Sequence, residues 1–577
     1  MTTSRLSRKV PPSVLHQLQA ELFSARAEGA APEPDGVPAP FLSPHVAMRD
    51  PHRPVAPARA PALPAAGVVV HNRLAYGPRP GDLQAFQALG GSDSARLSAW
   101  LDEQLDPSSI DDSALDARIS ALGFTTLGKS LPQLWLDHMI NYVEWEDHIR
   151  PIEEITRLKF VRAIWSRRQL FEVMAEFWHD HFSVHAWEFA IAPVWVHTDR
   201  DAIRPHALGN FRQMLEAVTR TPSMLFYLDN AENSLEDPNE NFARELLELH
   251  TLGSDAYYGS IDPADVPRDG ANRPLGYTEF DVVEVARALT GWTVSARPWD
   301  ENIGNTGEFL YYDPWHDHDP KTVIGMSLPA NQPPMQDGRD IFDLLAEHPA
   351  TGRFVAGKLC RRLFHDFPPQ EVVDAAAATF TAQAAAADQI AQVVRVIVEH
   401  PLWLQTWGEK VKRPFEVLAS HFRGAQGELE FQIADEGNSD WLNWMFYQTG
   451  HYPFNWAPPN GYPDVRAAWN STSPRVMTWR VANMLVQAYD DVADRFAFDF
   501  LGQTPANVRS AEEIVDFWTG RLLSDALPSD ERQSLIAFMA QGHNPGFDLP
   551  LAADEETQDR LRTLGAILAM TPSFLWR

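Results

Sequence analysis

The sequence predicts a mainly α protein, a large multi-helix domain with long ordered loops and little β. Three observations lead there. Apolar residues recur at helical spacing from about residue 82 almost to the end of the chain. Strand-like patterns are confined to Phe309–Tyr312 and Thr322–Ile324, which could pair around the loop between them. The 19 Trp, 31 Phe and 12 Tyr of the 577 residues supply aromatic bulk for a large interior.

Taken in order, the chain first shows a Pro/Ala tract over residues 29–66, with ten prolines between Pro32 and Pro64. Proline fixes φ and lacks the amide donor, so residues 1–69 read as an extended, partly disordered N-terminal arm, or one that wraps a neighbour. Residues 70–577 read as a single large helical domain. Asp82–Leu89, Ser94–Leu105 and Ser113–Leu122 are short helices separated by Gly, Pro and Asp clusters. Helical spacing then covers 153–185, Ala207–Leu228, Pro238–Leu252 and Thr278–Leu289. It continues over Asp340–His348, Thr351–Phe364, Glu371–Glu399, Pro474–Phe498, Ala511–Leu522 and Glu555–Met570. Long loops near 254–277, 295–337 and 448–473 carry Trp and Tyr, which favours ordered, functional loops. No period of 20–50 residues recurs, which argues against a solenoid or propeller.

Charge and cysteine content narrow the function classes. Lys plus Arg number 48 against 78 Asp plus Glu, a net charge of −30 that argues against a nucleic-acid binder. The single Cys360 removes intrachain disulfides, CxxC redox chemistry and thiolate-rich metal sites. No apolar run approaches the ~20 residues of a transmembrane segment. Arg5, Arg8 and Lys9 are followed by Pro11, Pro12, His16 and Gln17, where a signal peptide needs its apolar segment. The expectation is a cytoplasmic protein, with export left open. GxSxG, GxxxxGK[ST], HExxH and post-strand GxGxxG signatures are absent.

Two helices carry the polar residues that suggest chemistry. In Phe171–His185, a regular helix puts Glu172, Glu176 and His179 within a stripe of about 60°. His181 and His185 fall together on nearly the opposite face. Glu176-x-x-His179 is the spacing by which helical bundles hold a carboxylate-bridged metal, and equally that of a buried Glu–His hydrogen bond. The second helix is expected to open at Asp237, with Pro238 at the first helical position and Glu240 closing a capping box, and to stop at Gly253. Asn241, Glu245 and Glu248 share one stripe with Arg244 at its margin, while His250 lies about 140–160° away. Phe242, Leu246 and Leu249 form the apolar face, so Glu245 and Glu248 are expected to be partly buried near His179 or His181. Trp315-His-Asp-His-Asp-Pro-Lys321 is a loop in which His316, Asp317 and Lys321 read as a solvated turn, a proton shuttle or ligands. Lys410 to Arg413 reads as a solvated helix start, and the Pro/Trp-rich 452–463 as a cover, a lid or an aromatic platform.

These blocks resemble a known bacterial family. Phe177-Trp-His-Asp-His-Phe182, Arg204-Pro-His-Ala-Leu-Gly-Asn-Phe211 and Thr221-Pro-Ser-Met-Leu-Phe-Tyr-Leu-Asp229 come first. Pro238-Asn-Glu-Asn-Phe-Ala-Arg-Glu-Leu-Leu-Glu-Leu-His-Thr-Leu-Gly253 and Ala286-Arg-Ala-Leu-Thr-Gly-Trp-Thr293 follow, then His316, Asp317 and Lys321. Together with Arg73-Leu-Ala-Tyr-Gly-Pro-Arg-Pro-Gly81 they resemble the family known as domain of unknown function number 1800. The resemblance implies export for many relatives, a pattern this chain departs from, and it transfers no catalytic residue.

Three functions compete on the residues alone. One is a metalloenzyme in which Glu176 and His179 face Glu245 and Glu248 around iron, manganese or zinc, for oxidation or hydrolysis. The second is a non-catalytic scaffold or partner-binding protein, with Arg244 beside Glu248 in a structural polar core. The third is a saccharide, peptide or other small-molecule binder using Trp315 and Trp456.

Overall fold

A computed structural model describes residues 62–429, 444–487 and 496–577. The expected arm lies almost wholly outside them. Its last residues do not: Ala66–Arg73 form the first helix, α1, every residue of it buried. A run of Val68, Val69 and Val70 is apolar all round and suits a buried helix rather than an arm.

The chain is mainly α, as the periodicity predicts. Trp145–Trp165 (α2) and Gln169–His181 (α3) follow, with Ser166 ending the first where one continuous helical pattern was expected. Phe211–Thr219 (α4), Glu240–Glu245 (α5) and Glu279–Ala288 (α6) come next. The small sheets lie between helices. Trp292–Arg297 (β1) pairs antiparallel with Gly304–Tyr311 (β2), and Lys321–Val323 (β3) with Met326–Leu328 (β4). The two expected strands therefore exist but pair with nearer neighbours, because a local hairpin closes a shorter loop.

Pro349–Leu363 (α7), Gln370–Ala382 (α8) and Gln389–Val398 (α9) form a packed helical run. Pro414–Gly424 (α10) is buried along its whole length. Thr472–Gln487 (α11), Ala511–Leu522 (α12) and Glu555–Met570 (α13) complete the part relevant here. The expected extension of α11 to Phe498 crosses residues 488–495, outside the described residues. The described residues form one compact unit. Its main core gathers α1–α10, and a second apolar cluster joins Val417 and Val486 to Trp518, Leu564 and Phe574. Among the described residues no helix is long and apolar enough to cross a membrane.

The second polar helix departs from its expected start. Its N-cap is Asn239, whose side chain accepts from the Asn241 amide at 2.9 Å, so Asp237 precedes the cap by two residues. The side chain of Asn233 accepts from the Asn239 amide at 2.9 Å and fixes that start. After α5 the backbone widens into a π turn over Leu246–Thr251. The wider turn buries Leu247 fully and leaves Leu249 half-buried, where regular spacing had favoured Leu249.

Candidate functional site

Helix α3 is where the polar residues collect. Val173, Met174 and Trp178 anchor it in the core, and the Trp178 indole donates to the Ala207 carbonyl at 2.9 Å. The opposite stripe is the one the wheel predicts: Glu172, Glu176 and His179 line one hollow, with Tyr76, Lys159, Arg162, Asp199 and Phe454. A second hollow is lined by Asp180, Ser183, Trp195, His451, Trp456 and Tyr462. Lys159, His179 and Phe454 belong to both and form the wall where they meet. The first void measures about 310 and the second about 380 Å³ including the space at their mouths, and inside they are narrow.

At that wall His179 Nε2 lies 2.9 Å from Asp199 Oδ1, and Arg162 Nη1 is 3.1 Å from the other Asp199 oxygen. Burial alone would raise the Asp199 carboxyl. The hydrogen bond from His179 and the guanidinium groups of Arg204 and Arg162 outweigh it and hold the carboxyl well below the usual range. Burial pushes the His179 imidazole down, partly opposed by Asp199. A neutral imidazole that donates from Nε2 to Asp199 keeps its lone pair on Nδ1.

Phe454 presses edge-on against the His179 ring, with centroids 4.8 Å apart, and also packs on Trp195 at 5.4 Å. Its φ is +60°, a left-handed conformation that costs a bulky L-residue of order 1–3 kcal/mol. The loop that imposes it is tied down repeatedly. The Ala186 amide donates to the Phe454 carbonyl at 3.1 Å, His185 Nε2 meets Asn455 Oδ1 at 3.1 Å, and Ser183 Oγ donates to the Pro458 carbonyl at 3.3 Å. Gly461 has φ +74°, and a Cβ there would sit 2.0 Å from the Asp180 carbonyl oxygen, so only glycine lets the loop close on α3. The Pro/Trp loop is thus a wall of the hollow. The Trp195 indole nitrogen, also in this lining, is buried without a partner.

Behind the hollow lies a buried ion network. Glu176 Oε1 is 2.5 Å from Arg413 Nη2 and 3.6 Å from Lys159 Nζ, and its other oxygen takes the Tyr76 hydroxyl and lies 3.7 Å from Arg362. Arg413 also holds Asp180 at 2.7 Å, and Arg362 holds Glu416 at 2.6 Å. Glu416 is bound by Arg577 as well. Burial would raise both carboxyls, but the surrounding cations hold each well below the usual range. Lys410, Lys412 and Arg413 are thus buried rather than a solvated helix start. Arg413 does cap α10, its amide donating to Glu416 at 2.8 Å.

The remaining sequence candidates lie elsewhere. Glu245 and Glu248 are half-buried, and the charged groups bearing on Glu245 are Glu248 and Arg244, neither on α3. Arg244 pairs with Glu279 at 2.8 Å and Glu240 at 3.1 Å, so it is not the partner expected for Glu248. The imidazole of His181 faces away from Glu176, its Nε2 3.0 Å from the His250 carbonyl, with both rings buried. His185 lies beyond the end of α3, in the loop, because the helix stops at His181.

His316, Asp317 and Lys321 are buried and paired, so the loop is not a solvated turn. His316 Nδ1 meets the Thr290 carbonyl at 2.9 Å, Arg287 binds Asp317 at 2.8 Å, and Lys321 binds Asp337 at 2.8 Å. They clamp the long loop to α6 and to the 336–347 helix.

A divalent metal does not suit these donors. Among the described residues no group of three or more His, Cys, Asp or Glu is arranged to hold one. Around the hollow each carboxylate is already matched by a cation: Glu172 by Arg204 at 2.6 Å, Asp199 by Arg162, Glu176 by Arg413. A further dication would face Lys159 and Arg162 directly.

A family model described as protein of unknown function (DUF1800) matches residues 69–576. The chain belongs to the DUF1800 family. The match runs from within α1 through α13, so the hollow and, apart from Arg577, the ion network of this DUF1800 chain lie within the family's domain. No curated protein and no solved structure matches the chain.

Sequence reasoning found Glu176 and His179 and marked the 452–463 loop that holds Phe454, but it missed Tyr76, Lys159 and Asp199 and read Arg413 as solvated. Lys159 had a signal: it interrupts the apolar run from Leu158 to Ile164, where a charge needs a buried partner. Nothing local marks Asp199.

Proposed function

We propose that the protein is an enzyme whose active site is the double hollow at the end of α3, with His179 as general base and Asp199 as the residue that orients it. The observation that supports this most is the His179–Asp199 pair set at the junction of two hollows, with strained Phe454 packed against the imidazole. Buried histidine–carboxylate pairs in concave, aromatic-lined sites are the usual arrangement for proton abstraction or activation of a hydroxyl or water. Lys159, 5.1 Å from the Phe454 ring centre, sets a cation beside the base where charge developing on a substrate oxygen would be stabilised. The narrow interior has room for a water, or for one small group of a larger molecule reaching in past Trp456.

The ion network serves as support on this reading. Arg413 ties Glu176 and Asp180 of α3 to the start of α10, fixing the helix that carries His179. A turnover panel of 4-nitrophenyl acetate, 4-nitrophenyl phosphate and 4-nitrophenyl glycosides, run on wild type and His179→Gln, tests the proposal. The expected result is wild-type turnover of one class, falling by about 10²–10⁴ in the variant. Because burial lowers the His179 pKa, the wild-type rate should hold on its plateau below pH 6.5. Equal activity of both proteins, or no turnover of any class, would count against the reading.

A further inference from the structure

A second group of unusual side chains sits on the other side of α3's last turn. Lys358, on α7, is half-buried and makes no hydrogen bond or ion pair among the described contacts. The chain contains seven lysines, and the contrast among the described ones is sharp. Lys129, Lys159, Lys321 and Lys410 each have a carboxylate within 3.6 Å, and Lys412 is sealed over the Phe574 ring at 4.2 Å. Lys358 instead projects over the ring of Phe354 at 5.5 Å.

The niche around it is built. Gly253 has φ +87° and no side chain, and Phe354 fills the space a Cβ would take, at 2.6 Å. Two imidazoles close the far side. His181 Nδ1 and His250 Nε2 are both buried without a partner, and both rings feel the Lys358 charge. The outer side is open, since a Cβ on neighbouring Gly357 would meet nothing within 4 Å. The charged groups facing the amine are Asp180, Arg361 and Asp464, with the two neutral histidines. Burial, the dominant cause, and Arg361 push the ammonium down to about 8, against the partial opposition of the two aspartates. A lysine so placed is nucleophilic at neutral pH, whereas an ordinary one is almost wholly protonated.

We propose that Lys358 is a carbonyl-reactive amine that takes a small uncharged aldehyde as an imine. The neutral amine nitrogen attacks the carbonyl carbon and forms the C–N bond as the C=O π pair moves to oxygen, and the oxygen takes one of the two amine protons to become a hydroxyl. The nitrogen lone pair then expels that hydroxyl, which leaves as water with the amine's second proton, and the C=N bond remains. The negative charges of Asp180 and Asp464 favour a protonated imine, and the Phe354 ring lines one side of the new bond. This site is independent of the His179 reading.

The test is trapping with glycolaldehyde and sodium cyanoborohydride on the full-length protein, read by peptide mapping. At pH 7 Lys358, which has no carboxylate partner, should be labelled at least about tenfold faster than Lys129, whose amine is held by Asp137 at 2.9 Å. The Lys358 rate should rise through pH 8 and level off by about pH 9. Lys358→Arg should abolish the fast label and leave the slower ones unchanged. Labelling of Lys358 no faster than Lys129, or a rate still climbing above pH 9, would overturn the proposal. Both readings are available in the wild-type protein, so the conclusion stands even where a variant folds poorly.

Discussion

Arg413→Met tests how the site is held. In the folded protein this guanidinium lies 2.5 Å from Glu176 and 2.7 Å from Asp180, and its Nε 3.5 Å from Glu416. Methionine keeps most of the volume, so the change removes charge and hydrogen bonds more than packing. Leaving a buried carboxylate without its partner costs about 3–5 kcal/mol. Lys159 at 3.6 Å and Arg362 at 3.7 Å still face Glu176, which favours the lower end, about 3 kcal/mol. Unfolding entropy of ~2.1 cal/mol/K per residue, over the roughly 500 residues from α1 onward, gives about 1 K for each kcal/mol, so Tm should fall about 3 K.

The pH dependence supplies a second readout. Glu176 has a depressed folded pKa, so its contribution is present above the ordinary carboxylate range and is lost as pH falls through the folded value. Removing Arg413 raises that folded value, so the variant should begin to lose stability at higher pH than wild type. Differential scanning calorimetry between pH 3 and 8 measures both effects. A Tm change under 1 K with an unchanged acid limb would refute the reasoning and restore Arg413 to a solvated helix start.

Three further outcomes follow from the same geometry. Asn239→Ala should destabilise by about 0.5–2 kcal/mol while Asp237→Ala changes little, measured by urea unfolding; the reverse order would contradict the observed cap. Gly461→Ala forces a Cβ to 2.0 Å from the Asp180 carbonyl, so the loop should open, with faster proteolysis within 451–463 and a loss of about 1–3 kcal/mol. His421 is buried with neither ring nitrogen bonded, its pKa pushed down to about 3 by burial. It therefore stays neutral when folded, and stability is lost as pH falls below the unfolded value near 6.5, at about 1.4 kcal/mol per pH unit. Relative to its effect at pH 7.5, His421→Met should gain about 2 kcal/mol at pH 5, by urea unfolding at the two pH values; an equal effect at both would sink the idea.

The helical class was legible because burial on one face imposes a period, and that period survives in nearly every long segment. Ala511–Leu522 and Glu555–Met570 match their expected bounds. The face of α3 was legible for the same reason, with Glu172, Glu176 and His179 on one hollow. What they face was not. Asp199, Arg413 and Phe454 are brought to α3 from 20, 237 and 275 residues along the chain, counted from His179, Glu176 and His179 respectively, and no local pattern encodes such pairing. The error at Lys410–Arg413 has a definite origin. A basic run at a helix start is usually solvated, and only the facing Asp366, Glu176 and Glu416 make its burial tolerable. The misplaced start of the second helix arose because Asn233, six residues before Asn239, fixes the cap through a contact that the capping-box pattern does not contain.

The central claim is that His179 is a neutral base reachable from the hollow and oriented by Asp199. Diethyl pyrocarbonate acylates such an imidazole, and mass spectrometry of the peptides reads each histidine separately. At pH 7 the account predicts that His179 is modified faster than the sealed His181, His250 and His421, and that Asp199→Asn slows its modification by releasing the ring. Modification of His179 no faster than that of the three sealed histidines, or at the same rate in Asp199→Asn, would contradict it.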